Sequence, residues 1–302
     1  MIQRAPYIRH LACSYDGDLV AAAESTGFVQ IWNVQSAAQT ARFKTTLDFG
    51  GNRLAISRDG QHLAAGAYHD HGLTLYSTQD GKELWRRTDL KQIQDVRISM
   101  DDAVVICGHG GDCCEMLDIT SGESEQSLHP VEDLLQSAYE DIAIVDGGRS
   151  NHYMLTDFAF QKIAQVARTS FAALDFAFAP HLICVTESGV LVRCYGTADG
   201  RELWRYDPGS RDGVHVITLA YNEPEDSFVG IALPYKHGGD RRLVVIRAKS
   251  GQFVSAVTLG TFSKAVFCCK GSVLLTSDGI LRASLTGEQQ GTLTFFPATT
   301  AG

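Results

Sequence analysis

At 302 residues with a formal charge of -9, the chain is long enough for two ordinary domains yet within the size of one closed all-β repeat domain. The acidic balance excludes a general nucleic-acid binder, which needs a basic footprint, and favours a basic surface on any partner. No window reaches the length of a membrane span and Met1 to Tyr7 lack a signal-peptide core. The expected location is therefore the cytoplasm, with no membrane contact, and the eight cysteines are expected as free thiols.

Short strands with period-2 alternation, separated by Asp-Gly and Ser-Gly turns, begin near residue 9 and recur to residue 296. The clearest unit is NRLAISRDGQHLAAGAYHDHGLTLYSTQDGKELWRR, starting at Asn52. It reads as four strands: one with Leu54 and Ile56, a turn at Asp59-Gly60, a run from His62 to Ala67, then Leu73 to Ser77, a turn at Asp80-Gly81, and a strand through Trp85. Such a four-stranded meander cannot bury both faces alone and must stack on copies of itself. Copies fall at about 9–43, 52–87, 94–129, 133–168, 171–207, 214–259 and 263–296, with the fourth the most degenerate. A spacing of roughly 40–45 residues is that of a propeller blade. The fold class expected is all-β: one domain over 1–302, a seven-bladed β-propeller of four-stranded antiparallel blades whose last blade meets the first.

The third strand of the first unit, Phe28-Val29-Gln30-Ile31-Trp32-Asn33-Val34, resembles the signature strand of WD-repeat proteins, with Asn33 where aspartate is usual. The glycine-histidine dipeptide of that family is absent, so its intrablade hydrogen-bonded tetrad does not carry over. Asp80-Gly81-Lys82-Glu83-Leu84-Trp85-Arg86 and Asp199-Gly200-Arg201-Glu202-Leu203-Trp204-Arg205 resemble the turn and tryptophan of quinoprotein-like propellers. In either family glycine supplies the positive φ of the turn and the indole docks on the next blade. The WD-repeat likeness implies a rigid scaffold for protein–protein interaction.

Loops between second and third strands emerge on one face, together with the connectors between blades. That rim is the richer in polar and aromatic side chains, and the candidate partner-binding residues are Tyr68, His69, His71, His109, Arg149, His152, Tyr235, Lys236, His237 and Arg241. His69, Asp70 and His71 are competent metal ligands, but loops on neighbouring blades stand too far apart to share an ion, and an interaction surface is the better reading. Cys113-Cys114 and Cys268-Cys269 lack C-x-x-C spacing and are read as strand residues, the second pair pointing to opposite faces. No nucleophile elbow, phosphate-cradling loop or H-E-x-x-H is present. The sequence thus predicts no catalytic residue, metal or cofactor, and a monomeric platform for another protein. A dedicated inhibitor such as a bacterial toxin-immunity protein is one alternative. A propeller enzyme, or a small-ligand or metal binder built on the histidine-rich loops, is another.

Overall fold

A computed structural model describes residues 6–45, 53–69, 71–110, 113–129, 131, 133–136, 139–140, 142–146, 152–158, 161–167, 173–187, 192–207, 214–234 and 239–296. The first blade is β1 (Ile8–Cys13), β2 (Leu19–Glu24), β3 (Phe28–Asn33) and β4 (Ala38–Lys44). The second is β5 (Arg53–Ile56), β6 (His62–Gly66), β7 (Leu73–Ser77) and β8 (Glu83–Arg87); the third is β9 (Asp95–Ile98), β10 (Val104–His109), β11 (Cys113–Asp118) and β12 (Ser124–Leu128). The fourth is β13 (Asp133–Gln136), β14 (Ala143–Asp146), β15 (His152–Thr156) and β16 (Lys162–Ala167); the fifth is β17 (Ala173–Ala179), β18 (Leu182–Glu187), β19 (Val192–Gly196) and β20 (Glu202–Tyr206). The sixth is β21 (Val214–Asn222), β22 (Ser227–Pro234), β23 (Arg241–Arg247) and β24 (Phe253–Gly260); the seventh is β25 (Ala265–Cys268), β26 (Val273–Thr276), β27 (Ile280–Ala283) and β28 (Gln289–Thr292). Helix is confined among the described residues to a single turn at Glu223–Glu225, and no helix is long and apolar enough to cross a membrane.

Each sheet takes its four strands in sequence order. The expected seven-bladed, all-β architecture is what forms, and period-2 alternation is the cause: each middle strand is apolar on both sides and is buried between neighbours. Seven clusters of buried side chains occur among the described residues, and each straddles one seam between consecutive blades. The inner strands also meet directly, β1 with β5, β5 with β9, β17 with β21, β21 with β25, and β25 with β1. Outer strands face solvent and carry charge, as Arg42 and Lys44 do on β4 and Glu83 and Arg86 on β8, which discourages edge-to-edge pairing.

Every third-to-fourth strand pairing shifts register by one residue just before its turn, for example between Leu75 and Tyr76 and between Cys194 and Tyr195. A bulge there strengthens the local twist, and the same device in every blade keeps their faces parallel enough to stack. The expected role of the two tryptophan motifs is realised alike in both. Trp85 Nε1 donates to Ile119 O at 2.8 Å in blade three, and Trp204 Nε1 donates to Ala248 O at 2.7 Å in blade six. Each indole lies over the turn glycine of that next blade: a Cβ on Gly122 would stand 2.7 Å from the Trp85 ring, and one on Gly251 2.6 Å from the Trp204 ring. The glycine is thus required for the close approach as well as for its positive φ.

Blade seven closes on blade one without borrowing a strand. Its sheet is β25-β26-β27-β28, and Leu293 and Phe295 pass from its outer strand into a cluster with Ile8, Val20 and Trp32. Trp32 is edge-on to Phe295 at 5.8 Å, and Gln30 Nε2 donates to Phe295 O at 2.8 Å. One expectation needs correcting here: Cys269 is not in a strand with Cys268. β25 ends at Cys268, and Cys269, Lys270 and Gly271 take positive φ in the turn. The reason is the seam itself, because Gly17 packs so tightly there that a Cβ would lie 1.7 Å from Cys269 N. None of the eight cysteines is joined in a disulfide, and Cys107, Cys184, Cys194 and Cys114 are buried among apolar groups.

Candidate functional site: the loop rim and the central channel

The rim residues predicted from sequence fall into three groups. Tyr68, His69 and His71 are all exposed in the loop after β6, and the Tyr68 and His69 rings stand edge-to-face at 5.4 Å. Arg241, at the start of β23, lies 4.7 Å over the Phe262 ring and donates to Ser263 O at 3.4 Å, so it belongs to the seam between blades six and seven. His109 turns inward toward its own hairpin, with Nε2 buried. His152 opens β15 and is exposed. Arg149, Tyr235, Lys236 and His237, like Asp70, lie outside the described residues. Among the described residues the rim brings Tyr68, His69 and His71 together on one loop, whereas His109, His152 and Arg241 belong to three other blades.

Inside the rim, at the connector end of the channel, basic side chains converge. His10 on β1, Arg53 at the first residue of β5 and Lys264 just before β25 come from three adjacent inner strands. His10 Nδ1 is sealed from solvent with no hydrogen-bond partner among the described residues. Burial first, then the charges of Arg53 and Lys264, push its pKa down from 6.5 to about 3. Burial, Arg53 and Arg241 likewise lower the Lys264 ammonium. His10 is thus neutral in the native protein at neutral pH, while in the unfolded chain it gains a proton near 6.5. Protons then favour the unfolded state, so the stability tied to this group is complete above about pH 6.5 and drains away as pH falls toward about 3. Urea titrations at pH 7.5 and 4.5 are expected to show a smaller loss on acidification for His10→Gln than for the unsubstituted chain; an equal loss would refute the assignment.

Sequence reasoning missed the opposite end of the channel. A cavity of about 320 Å³ is lined by Tyr15, Met100, Tyr139, Phe178, Tyr221 and Lys270 among others, and a second of about 240 Å³, reaching Ile56 and Arg97, shares Tyr15 and Met100 with it. Tyr139 stands edge-on to Tyr221 at 5.7 Å, and Tyr221 donates its hydroxyl proton to Asp226 Oδ1 at 2.9 Å. Burial, then the bond to Asp226, pushes the Tyr221 phenol up to about 12. Burial also raises the Tyr139 phenol, with a hydrogen bond donated to Tyr15 adding to it, so both stay protonated. Lys270 Nζ is 3.1 Å from Glu223 Oε2 at the lip. A signal existed, since Tyr15, Tyr139 and Tyr221 all sit where the inner strand enters its first hairpin. None of the described rim histidines lines either cavity, which separates those predicted polar groups from both hollows.

No family model matches the chain, and no curated protein matches it. Solved structures do. The β-propeller domain of Cps50 (Swd1) from Myceliophteria thermophila superposes with a TM-score of 0.72 at 13% identity, covering 94% of this chain and 95% of that one. The computationally designed Ika8 protein gives 0.68 at 15% identity over 96% and 88%. The dihydro-heme d1 dehydrogenase NirN, in complex with DHE, gives 0.67 at 13% identity over 96% of this chain and 66% of that one. A natural β-propeller domain, a computational design and a dehydrogenase share one scaffold, so the likeness speaks to architecture alone. By its strand order, its blade count and these superpositions, the chain has the fold of a seven-bladed β-propeller.

Proposed function

We propose that this propeller is a non-enzymatic platform that docks another protein on the rim formed by the second-to-third strand loops and the blade connectors. The observation that carries the reading is Tyr68: an aromatic side chain 40% exposed, held edge-on by His69 next to His71, on a scaffold that already fixes the loop. Aromatic and arginine side chains presented this way are the groups that dominate binding energy at interfaces, and a preformed loop costs little to order. The net charge of -9 steers a partner with a basic surface at long range. Cytosolic placement and a monomeric free state belong to the same proposal.

Capture of a stoichiometric partner by the immobilised chain tests it. Tyr68→Ala is expected to weaken that capture by about 30-fold or more, the effect of losing about 2 kcal/mol, whereas Leu203→Ala, on an outer strand, leaves it unchanged. Capture that survives both Tyr68→Ala and Arg241→Ala places the interface elsewhere and overturns the proposal. A partner enzyme silenced on capture would mark the chain as a dedicated inhibitor.

A further inference from the structure

In blade three the β10–β11 hairpin pairs His109 directly with Cys113, and Cys107 with Glu115. Alternate strand residues share a face, so His109, Cys113 and Glu115 project to the same side. The imidazole nitrogen, thiol sulfur and carboxylate oxygen lie within 4.8 Å of one another. His109 Nε2 stands 3.9 Å from Glu115 Oε1, too far for a hydrogen bond, and it is buried with no hydrogen-bond partner among the described residues. A sealed ring nitrogen with nothing to bind is costly, and an electron-pair acceptor between the three donors removes that cost.

The neighbours fit this. Glu115 is only 16% exposed, and its second oxygen accepts from Ser124 Oγ, which aims the first toward His109. Cys113 Sγ is 3.4 Å from Ser127 Oγ. Arg87, the cation of the adjoining blade, is held by Asp89 through bonds of 2.8 and 2.6 Å, so its charge is offset locally. We propose that His109, Cys113 and Glu115 form a zinc site, with the fourth position left to water or to a side chain of a docking partner. One thiolate, one imidazole and one carboxylate are the donor types zinc takes, at about 2.0–2.3 Å. Tetrahedral geometry then sets the donors about 3.3–3.7 Å apart, a contraction within reach of rotation about the Glu115 and His109 side-chain bonds. Magnesium and calcium are disfavoured by the sulfur and nitrogen donors.

This site is separate from the docking reading, because the donors come from one hairpin and need no partner. The test uses the whole purified chain, stripped with chelator and titrated with zinc alone, and in parallel with cobalt(II) as a spectroscopic stand-in. Expected are one equivalent of tightly held metal and a thiolate-to-cobalt charge-transfer band that disappears in Cys113→Ser. His109→Ala is expected to weaken zinc binding by at least about tenfold, while His69→Ala and His71→Ala leave it unchanged. Should His109→Ala fail to fold by circular dichroism, Glu115→Gln with Cys113→Ser gives the same discrimination. Absence of stoichiometric zinc in the unsubstituted chain, or binding indifferent to Cys113→Ser, overturns the site.

Discussion

Phe295→Ala is expected to lower the free energy of unfolding by about 3–5 kcal/mol, the range for deleting a buried aromatic ring. This ring is 6% exposed, and it fills the space between Leu293, Trp32 and Ile8. No backbone ladder joins blade seven to blade one. At that junction the side chains of one cluster, the inner-strand contact and the Gln30 bridge hold the ring together. Gln30 is central: its Nε2 donates to Phe295 O and to Glu24 Oε1, both at 2.8 Å, and its Oε1 accepts from Trp32 Nε1 at 2.8 Å. Gln30→Leu leaves the Trp32 N–H without its partner and is expected to cost about 1–3 kcal/mol. Denaturant titrations measure both, and a Phe295→Ala loss below about 1 kcal/mol would mean that the seam is held by something else.

Trp204→Ala comes second, again at about 3–5 kcal/mol. The indole is buried against Phe228, at 6.0 Å between ring centroids, against Gly251, and through its N–H on Ala248 O. Trp204→Phe keeps a ring in that space and is expected to cost less, about 1 kcal/mol for the hydrogen bond plus the packing of the lost second ring. Trp85→Ala is expected to cost less than Trp204→Ala, since its ring is only half-buried although it makes the equivalent bond. Equal losses at the two sites would show that burial is not what sets the difference.

Much of the architecture was legible because the blade is written twice in the sequence, once as apolar alternation and once as glycine turns. Asp80-Gly81 and Asp199-Gly200 mark the hairpins, and Trp85 and Trp204 behave as their shared motif implies. What escaped was whatever depends on two distant segments at once. Cys269 reads as a strand residue until Gly17, 252 residues earlier, forces the turn around it. Tyr15, Tyr139 and Tyr221 look unrelated until the ring brings three inner strands to one cavity. His109, Cys113 and Glu115 were each visible, but the loops drew attention to histidines on different blades, whereas the register of one hairpin groups a histidine with a thiol and a carboxylate. Rim histidines are abundant in sequence, yet their distances are fixed by blade geometry that composition does not encode.

Because each of the seven sheets is spun from one uninterrupted stretch, the order in which blades are read along the chain is incidental to the circle they make. Ile8 and Phe295 share one cluster, so the two extremities of the described strands already lie side by side. Tying them together and cutting between β16 and β17 would call for the same seven interfaces, with the break merely relocated. Whole blades are in this sense interchangeable beads on a closed necklace, and the clasp can be put at any bead.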